Sequence, residues 1–280
     1  PIPTTNPPKK NPHHKLLPAT KPFAAESQLQ RKSRANVSSL LIARNSVSCR
    51  LFLSFLMLKN IAIYGAGGFG RETACLLHEI NEASPTWNFV GFFDDNTTTA
   101  ATTNPCCGGS CDKILGGIDA LNACAEPLSV VFSIGAPRVV KSIVAKISNP
   151  RISFPNIISP ACRLMCPESI KMGRGNLLNW GCVISCGVEI GDFNLLNFNV
   201  AIGHDSRLGN FNMLMTGACV SGNVVMGDEN LIGVNSSIYQ GISVGNGATL
   251  GGNSFLIRPA ETGATYVGIP ATKLHFLPKK

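Results

Sequence analysis

Residues 202–245 read IGHDSRLGNFNMLMTGACVSGNVVMGDENLIGVNSSIYQGISVG, with an aliphatic residue at every sixth position: Ile202, Leu208, Leu214, Val220, Met226, Ile232, Ile238 and Val244. The series continues without a miss, back through Leu196, Ile190, Ile184 and Leu178 to Met172 and forward through Leu250 to Leu256. Helices repeat at about 3.6 residues and strands at about 2, so a sustained period of six fits neither alone. It fits a parallel β-helix of hexapeptides, each supplying one short strand and one corner. The rung side chain then points into a narrow prism. Gly follows the rung at 173, 191, 203, 209, 227, 233, 245 and 251, and is expected to turn the corner there because it has no Cβ. Three hexapeptides make one turn, so residues 18 apart stack on one face of a coil running from about Ile158 to Leu256.

Upstream of the coil the pattern changes. Ile61 to Tyr64 is a short apolar strand, followed by Gly65-Ala66-Gly67-Gly68-Phe69-Gly70 and a helical stretch from Arg71 to Ile80. Strand, G-x-G-x-x-G and helix in that order is the context in which the motif has meaning. Its glycines allow a sharp turn, and the helix N-terminus offers free N–H groups to a phosphate. A second strand, Phe89 to Phe93, ends in Asp94-Asp95, where an acid can reach a ribose hydroxyl; the plainer reading of these residues is a polar turn. A short helix from Ile118 to Ala125, a buried strand from Val130 to Ile134 ending at Gly135, and a helix from Pro137 to Ile147 follow. Ile152 to Ile158 leads out to the coil. Three or four parallel strands make about half of a dinucleotide-binding fold, so a nucleotide-binding half-domain is expected rather than a hydride-transfer enzyme.

The formal charge of +8 belongs to one end of the chain. Nine of the 24 basic residues lie in residues 1–56 against a single acid, Glu26, which leaves fifteen bases and fifteen acids in the remainder. A neutral body has no basic groove for nucleic acid. Residues 1–56, preceding the first methionine at Met57, read as a disordered basic leader: upstream sequence, an expression leader or a cleaved targeting peptide. No run has the roughly 18 to 20 apolar residues of a membrane span, and a cytoplasmic protein is expected. Of eleven cysteines, Cys106, Cys107 and Cys111 read as loop thiols, and Cys162, Cys166, Cys182, Cys186 and Cys219 as small apolar residues of the coil.

Five histidines occur, His13, His14, His78, His204 and His275, and His204 alone lies in the coil. Asp205 adjoins it and can fix its tautomer. Gly222 is 18 residues on, so its N–H is expected near the same site, able to polarise a carbonyl. Asn194, Asn197 and Asn199 are expected to add polar groups nearby. A catalytic zinc of the three-histidine kind lacks its ligands, so no metal is expected.

The stretch IAIYGAGGFGRE (61–72), the hexapeptide ladder, Gly203-His204-Asp205 and Gly268-Ile269-Pro270-Ala271 together resemble the sialic acid O-acetyltransferase and bacillosamine N-acetyltransferase family of hexapeptide-repeat acyltransferases. The likeness spans residues 57–277. It implies a small Rossmann-like parallel α/β domain (57–157) that binds a sugar nucleotide, then a left-handed parallel β-helix with a C-terminal tail (158–280), assembled as a homotrimer with acetyl-CoA bound between subunits. His204 would be the general base and Asp205 its orienting partner. The Gly222 amide would meet the thioester carbonyl, with Gly268 to Ala271 near the coenzyme. Gly65, Gly67, Gly68, Phe69, Gly70, Asp94, Asp95 and Gly135 would form the substrate-binding set. The family often carries His where this chain has Phe69, and a second, coenzyme-facing His where it has Met213.

The implied activity is transfer of acetyl from acetyl-CoA to an amino or hydroxyl group of a nucleotide-activated sugar, for glycan or polysaccharide synthesis. A thioester is already activated, so no acyl-enzyme is required; Cys219 has no His placed to activate it as a nucleophile. The alternatives are O-acetylation of a free sugar such as sialic acid or a small hydroxylated acceptor, and a non-catalytic trimeric scaffold.

Overall fold

β1 (Lys59–Tyr64) is the central strand of a five-stranded sheet, with Ile61 to Tyr64 at most 1% exposed. A continuous apolar run is what a parallel strand covered on both faces requires. The strand order is β3-β2-β1-β4-β5, all parallel, with β2 at Trp87–Phe93, β3 at Ile114–Gly116, β4 at Leu128–Phe132 and β5 at Ile152–Ser153. Helices α1 (Gly68–Ala83), α2 (Ile118–Asn122) and α3 (Pro137–Lys146) connect them. The computed structural model describes residues 58–96 and 113–274, all within one compact unit. The leader with His13 and His14, the Cys106, Cys107 and Cys111 loop, and His275 lie outside the described residues.

Two differences from the expected elements have physical causes. α1 begins at Gly68 instead of Arg71, because the motif's last glycines already form its first turn. β3, unassigned by periodicity, is three residues long, and Phe92 N–H donates to the Lys113 carbonyl and Asp94 N–H to the Gly116 carbonyl, extending the sheet.

The coil is a three-faced prism, and every rung from Leu178 to Leu256 is at most 4% exposed. Its strands pair in parallel, mostly 18 residues apart. Together these make the expected left-handed parallel β-helix. The face carrying Leu178, Leu196, Leu214, Ile232 and Leu250 is covered by the α/β domain and is called here the covered face. The bare face carries Ile184, Ile202, Val220, Ile238 and Leu256. The charged face carries Met172, Ile190, Leu208, Met226 and Val244, with a Lys171–Glu189–Arg207 ladder on its outside. The prism starts one turn before Met172: Ile158 pairs with Leu178 and Leu164 with Ile184, each 20 residues apart. The turn at Pro167–Ser169 takes up the two extra residues and interrupts the period. At the far end an antiparallel pair, Thr265–Val267 with Thr272–Lys273, closes the covered face.

The glycines after the rungs do not turn the corner, contrary to expectation. The left-handed position is three residues after the rung, occupied by Phe193, Asn199, Asp205, Phe211, Asn223, Glu229, Asn235 and Asn253 at φ between 52° and 60°, or by Gly as at 217 and 241. Asn and Asp tolerate that region best among residues with a Cβ. A Cβ at Gly191 would instead meet the Asn210 side chain and the Gly209 backbone of the next turn. The missing Cβ makes room for stacking.

Five asparagines form a buried ladder along one edge. Asn194, Asn212 and Asn230 each donate both backbone and side-chain N–H to the Oδ1 of Asn176, Asn194 and Asn212 below, at 2.8 to 3.1 Å. Asn176 does the same to Asn156, and Ala248 N–H closes the top on Asn230 Oδ1. Asn194 therefore belongs to this ladder and not to the surroundings of His204.

The α/β domain seats on the covered face through Phe132, Phe154, Phe193 and Phe211, with Phe193 and Phe211 stacked at 5.2 Å. Lys141 pairs with Glu229, and Trp180 Nε1–H donates to Glu79 on α1.

Candidate active site

His204 stands two residues after the rung Ile202, on the edge between the bare and charged faces, with its side chain 58% exposed. Its Nδ1 lies 2.9 Å from Asp205 Oδ2. A carboxylate can only accept, so Nδ1 carries the proton and Nε2 is the free base. Asp205 reaches back because its backbone is left-handed, φ 57°, while its N–H donates to the Cys186 carbonyl one turn below. The dyad is a product of the corner geometry.

Gly222 stacks directly above. A Cβ there would lie 2.6 Å from His204 Nε2 and 2.8 Å from Cε1. A side chain would press on the basic nitrogen, and glycine leaves that space open. Asn223 N–H donates to the His204 carbonyl and locks the two turns together. His204, Asp205 and Gly222 are thus brought together on one edge.

Met213 is not with them. It is 2% exposed, on the covered face beneath the α/β domain. Asn197 is at a different edge, accepting from Asn179 Nδ2 at 3.1 Å. Gly268 to Ala271 caps the last turn, with Ala271 N–H donating to the Phe255 carbonyl, and leaves Ile269 74% exposed. Cys219 faces outward on the bare face, whereas burial pushes the Cys162 thiol up to about 11 and Cys182 up to about 12, so those two remain thiols.

The glycine motif occupies the point where strand order reverses, between the C-terminal ends of β1 and β4, the crevice in which open α/β sheets bind ligands. Gly65 has φ 112°, and a Cβ on it would lie 2.7 Å from the Ser133 carbonyl; a Cβ on Gly70 would overlap the Gly65 carbonyl. Gly67 and Gly68 have open space around them, which leaves the α1 N-terminus accessible beside Phe69. Asp94 accepts from Ala66 N–H at 2.8 Å and Asn96 N–H at 2.9 Å, holding the loop. Asp95 Oδ1 accepts from Tyr64 OH at 2.9 Å and from Ile118 N–H at 3.0 Å. Burial, reinforced by Asp95, raises the Tyr64 hydroxyl well above its ordinary value, so it stays a donor. Gly135, on the opposite wall of the crevice, approaches the Met215 methyl of the coil. No sequence signal pairs those two, since the contact arises only when the domains dock.

Two cavities among the described residues lie away from His204. One of about 520 Å³ follows the charged face by Lys171, Glu189 and Arg207, and one of about 310 Å³ lies beside Cys124 and Phe93. His204 sits on open surface instead. No group of three or more metal-binding side chains is clustered among the described residues.

Residues 60–147 match the family model of the PglD N-terminal domain. No curated protein sequence matches the chain. The acetyltransferase domain of PglB from Neisseria gonorrhoeae is similar in structure, with 25% identity, a TM-score of 0.67, and coverage of 77% of this chain and 100% of that one. PerB from Caulobacter crescentus, solved with CoA and GDP-perosamine, has 22% identity and a TM-score of 0.66 over 77% of this chain and 97% of its own. WeeI from Acinetobacter baumannii has 23% identity and a TM-score of 0.66 over 77% and 100%. The family model thus matches within the α/β part of the chain, and the structural likeness extends over about three quarters of the chain, into the β-helix.

Proposed function

We propose that this chain, built as the hexapeptide-repeat sugar acetyltransferases are built, transfers acetyl from acetyl-CoA to an amino or hydroxyl group of a nucleotide-activated sugar. The observation that carries the reading is the His204–Asp205 dyad with Gly222 stacked against its free nitrogen. In this mechanism the acceptor attacks the thioester carbonyl, and His204 Nε2 takes the proton as the new bond forms. A positioned base of this kind contributes roughly 10² to 10⁴ in rate. Asp205 holds the tautomer and stabilises the imidazolium. We assign the Gly222 N–H to the developing oxyanion. The tetrahedral adduct expels the CoA thiolate, and His204 returns the proton to it.

The substrate end is assigned to the crevice at the glycine motif, where the α1 N-terminus supplies N–H groups for a diphosphate. Met213 is left out of the coenzyme site because it is buried under the α/β domain. The crevice and the base stand on opposite sides of the prism: the α/β domain covers one face, and His204 is on the edge shared by the other two. A single chain therefore holds its acceptor a prism's width from its own base. A homotrimer, in which His204 of one copy meets the crevice of another, resolves this. No helix among the described residues is long and apolar enough to cross a membrane.

Thermal melting with ligands tests the assignment. At about 100-fold excess over Kd each ligand stabilises by about 2.7 kcal/mol. Both acetyl-CoA and a UDP-, GDP- or dTDP-sugar are expected to raise Tm. A response to neither would identify a scaffold, and a response to the coenzyme alone would mean the acceptor carries no nucleotide.

A further inference from the structure

The α/β domain does not enclose its own crevice. On one side the crevice is bounded by the glycine loop and Asp94, which ends β2; on the other, β4 gives way to Ser133, Ile134 and the exposed Gly135. Past Gly135 the next atoms belong to the coil: a Cβ on Gly135 would come 3.4 Å from the Met215 methyl. Met215 directly follows Leu214 on the covered face and is half-buried, its N–H held by the Ile232 carbonyl at 2.8 Å. The domains are tied on both flanks of this contact, by Trp180 with Glu79 and by Lys141 with Glu229, so the thioether keeps its place.

In open α/β sheets of this kind the ribose lies toward the acid ending β2 and the diphosphate at the first helix N-terminus. A ligand in that orientation extends its remaining group away from Asp94, over the end of β4. What meets it there is the bare Cα of Gly135 and the thioether of Met215. We infer that Met215 is a specificity-determining residue of the acceptor site: an apolar wall, supplied by the coil to the crevice of the α/β domain, that packs against the sugar and not against the nucleotide. It forms no hydrogen bond there, so it favours a sugar face presenting C–H or methyl groups over one presenting a hydroxyl, which would lose its water without gaining a partner. This rests on the nucleotide-sugar reading and assigns which part of that ligand the coil reads.

The test uses the full chain and calorimetric titration with UDP, GDP and dTDP beside the matching nucleotide sugars. Met215→Ala is expected to weaken the nucleotide sugar by about tenfold, the order of one lost apolar contact in a pocket, with affinity for the nucleoside diphosphate unchanged. Met215→Leu, which conserves volume, is expected to restore most of it. Equal weakening of both ligands, or of neither, overturns the inference while leaving the nucleotide-sugar reading in place. A wild-type chain that binds no nucleotide and no nucleotide sugar sinks that reading and this inference together.

Discussion

Among single residues, the proposed chemistry depends on two backbone positions as much as on the imidazole. Asp205 can accept the Nδ1 proton because it occupies the left-handed corner at φ 57°. Asn tolerates that conformation nearly as well, so Asp205→Asn removes the charge without straining the corner. It is expected to lower kcat by roughly 10² to 10⁴, because the carboxamide no longer stabilises the imidazolium and its NH₂ can donate to Nδ1 and favour the wrong tautomer, while Tm stays near wild type. Gly222→Ala is expected to do similar damage by another route, since its methyl would lie 2.6 Å from Nε2 and turn the ring away; a kcat reduced at least about tenfold with unchanged melting is the outcome to look for. Asp205→Ala would be a poorer experiment, because it adds strain at a positive φ and confounds stability with catalysis.

The element that holds these residues in register is the stack of turns, and the asparagine ladder is the part most open to test. Asn212 accepts two N–H groups from Asn230 and donates two to Asn194, all buried. Asn212→Ala keeps the backbone N–H donation to Asn194 but removes the acceptor of the two Asn230 N–H groups, at about 1–3 kcal/mol per group left unsatisfied. A loss of about 3 kcal/mol in denaturant unfolding is expected, against near-neutral behaviour if water replaces the side chain. This ladder illustrates what could be read from sequence. Its 18-residue spacing is visible in Asn176, Asn194, Asn212 and Asn230, and the rung register, Asn194 between Ile190 and Leu196 and His204 between Ile202 and Leu208, already sets the column on a different edge from His204. The rung ladder was legible because its period is unbroken; the coil was expected from about Ile158, and the two extra residues at Pro167–Ser169 set its first strands 20 residues from their partners instead of 18. The corner glycines were legible as important and misread in cause, since Gly203 and its equivalents admit the neighbouring turn while Asp205 and its equivalents carry the positive φ. The stacking of His204 with Gly222 followed from the period. The burial of Met213 did not, because it is set by a docking contact between segments far apart in the chain.

For the molecule as a whole, the α/β domain lies on one face of the prism and the proposed base on the opposite edge, so the proposed reaction needs both halves. In that proposal His204 is the base for acetyl transfer onto a nucleotide sugar. The direct measurement is release of free CoA thiol from acetyl-CoA with a panel of UDP-, GDP- and dTDP-linked amino sugars, comparing wild type with His204→Ala of matched Tm. Wild type is expected to turn over only when a nucleotide sugar is present, and His204→Ala to be slower by roughly 10² to 10⁴. Thiol release by His204→Ala at close to the wild-type rate, from a folded protein, would contradict the account.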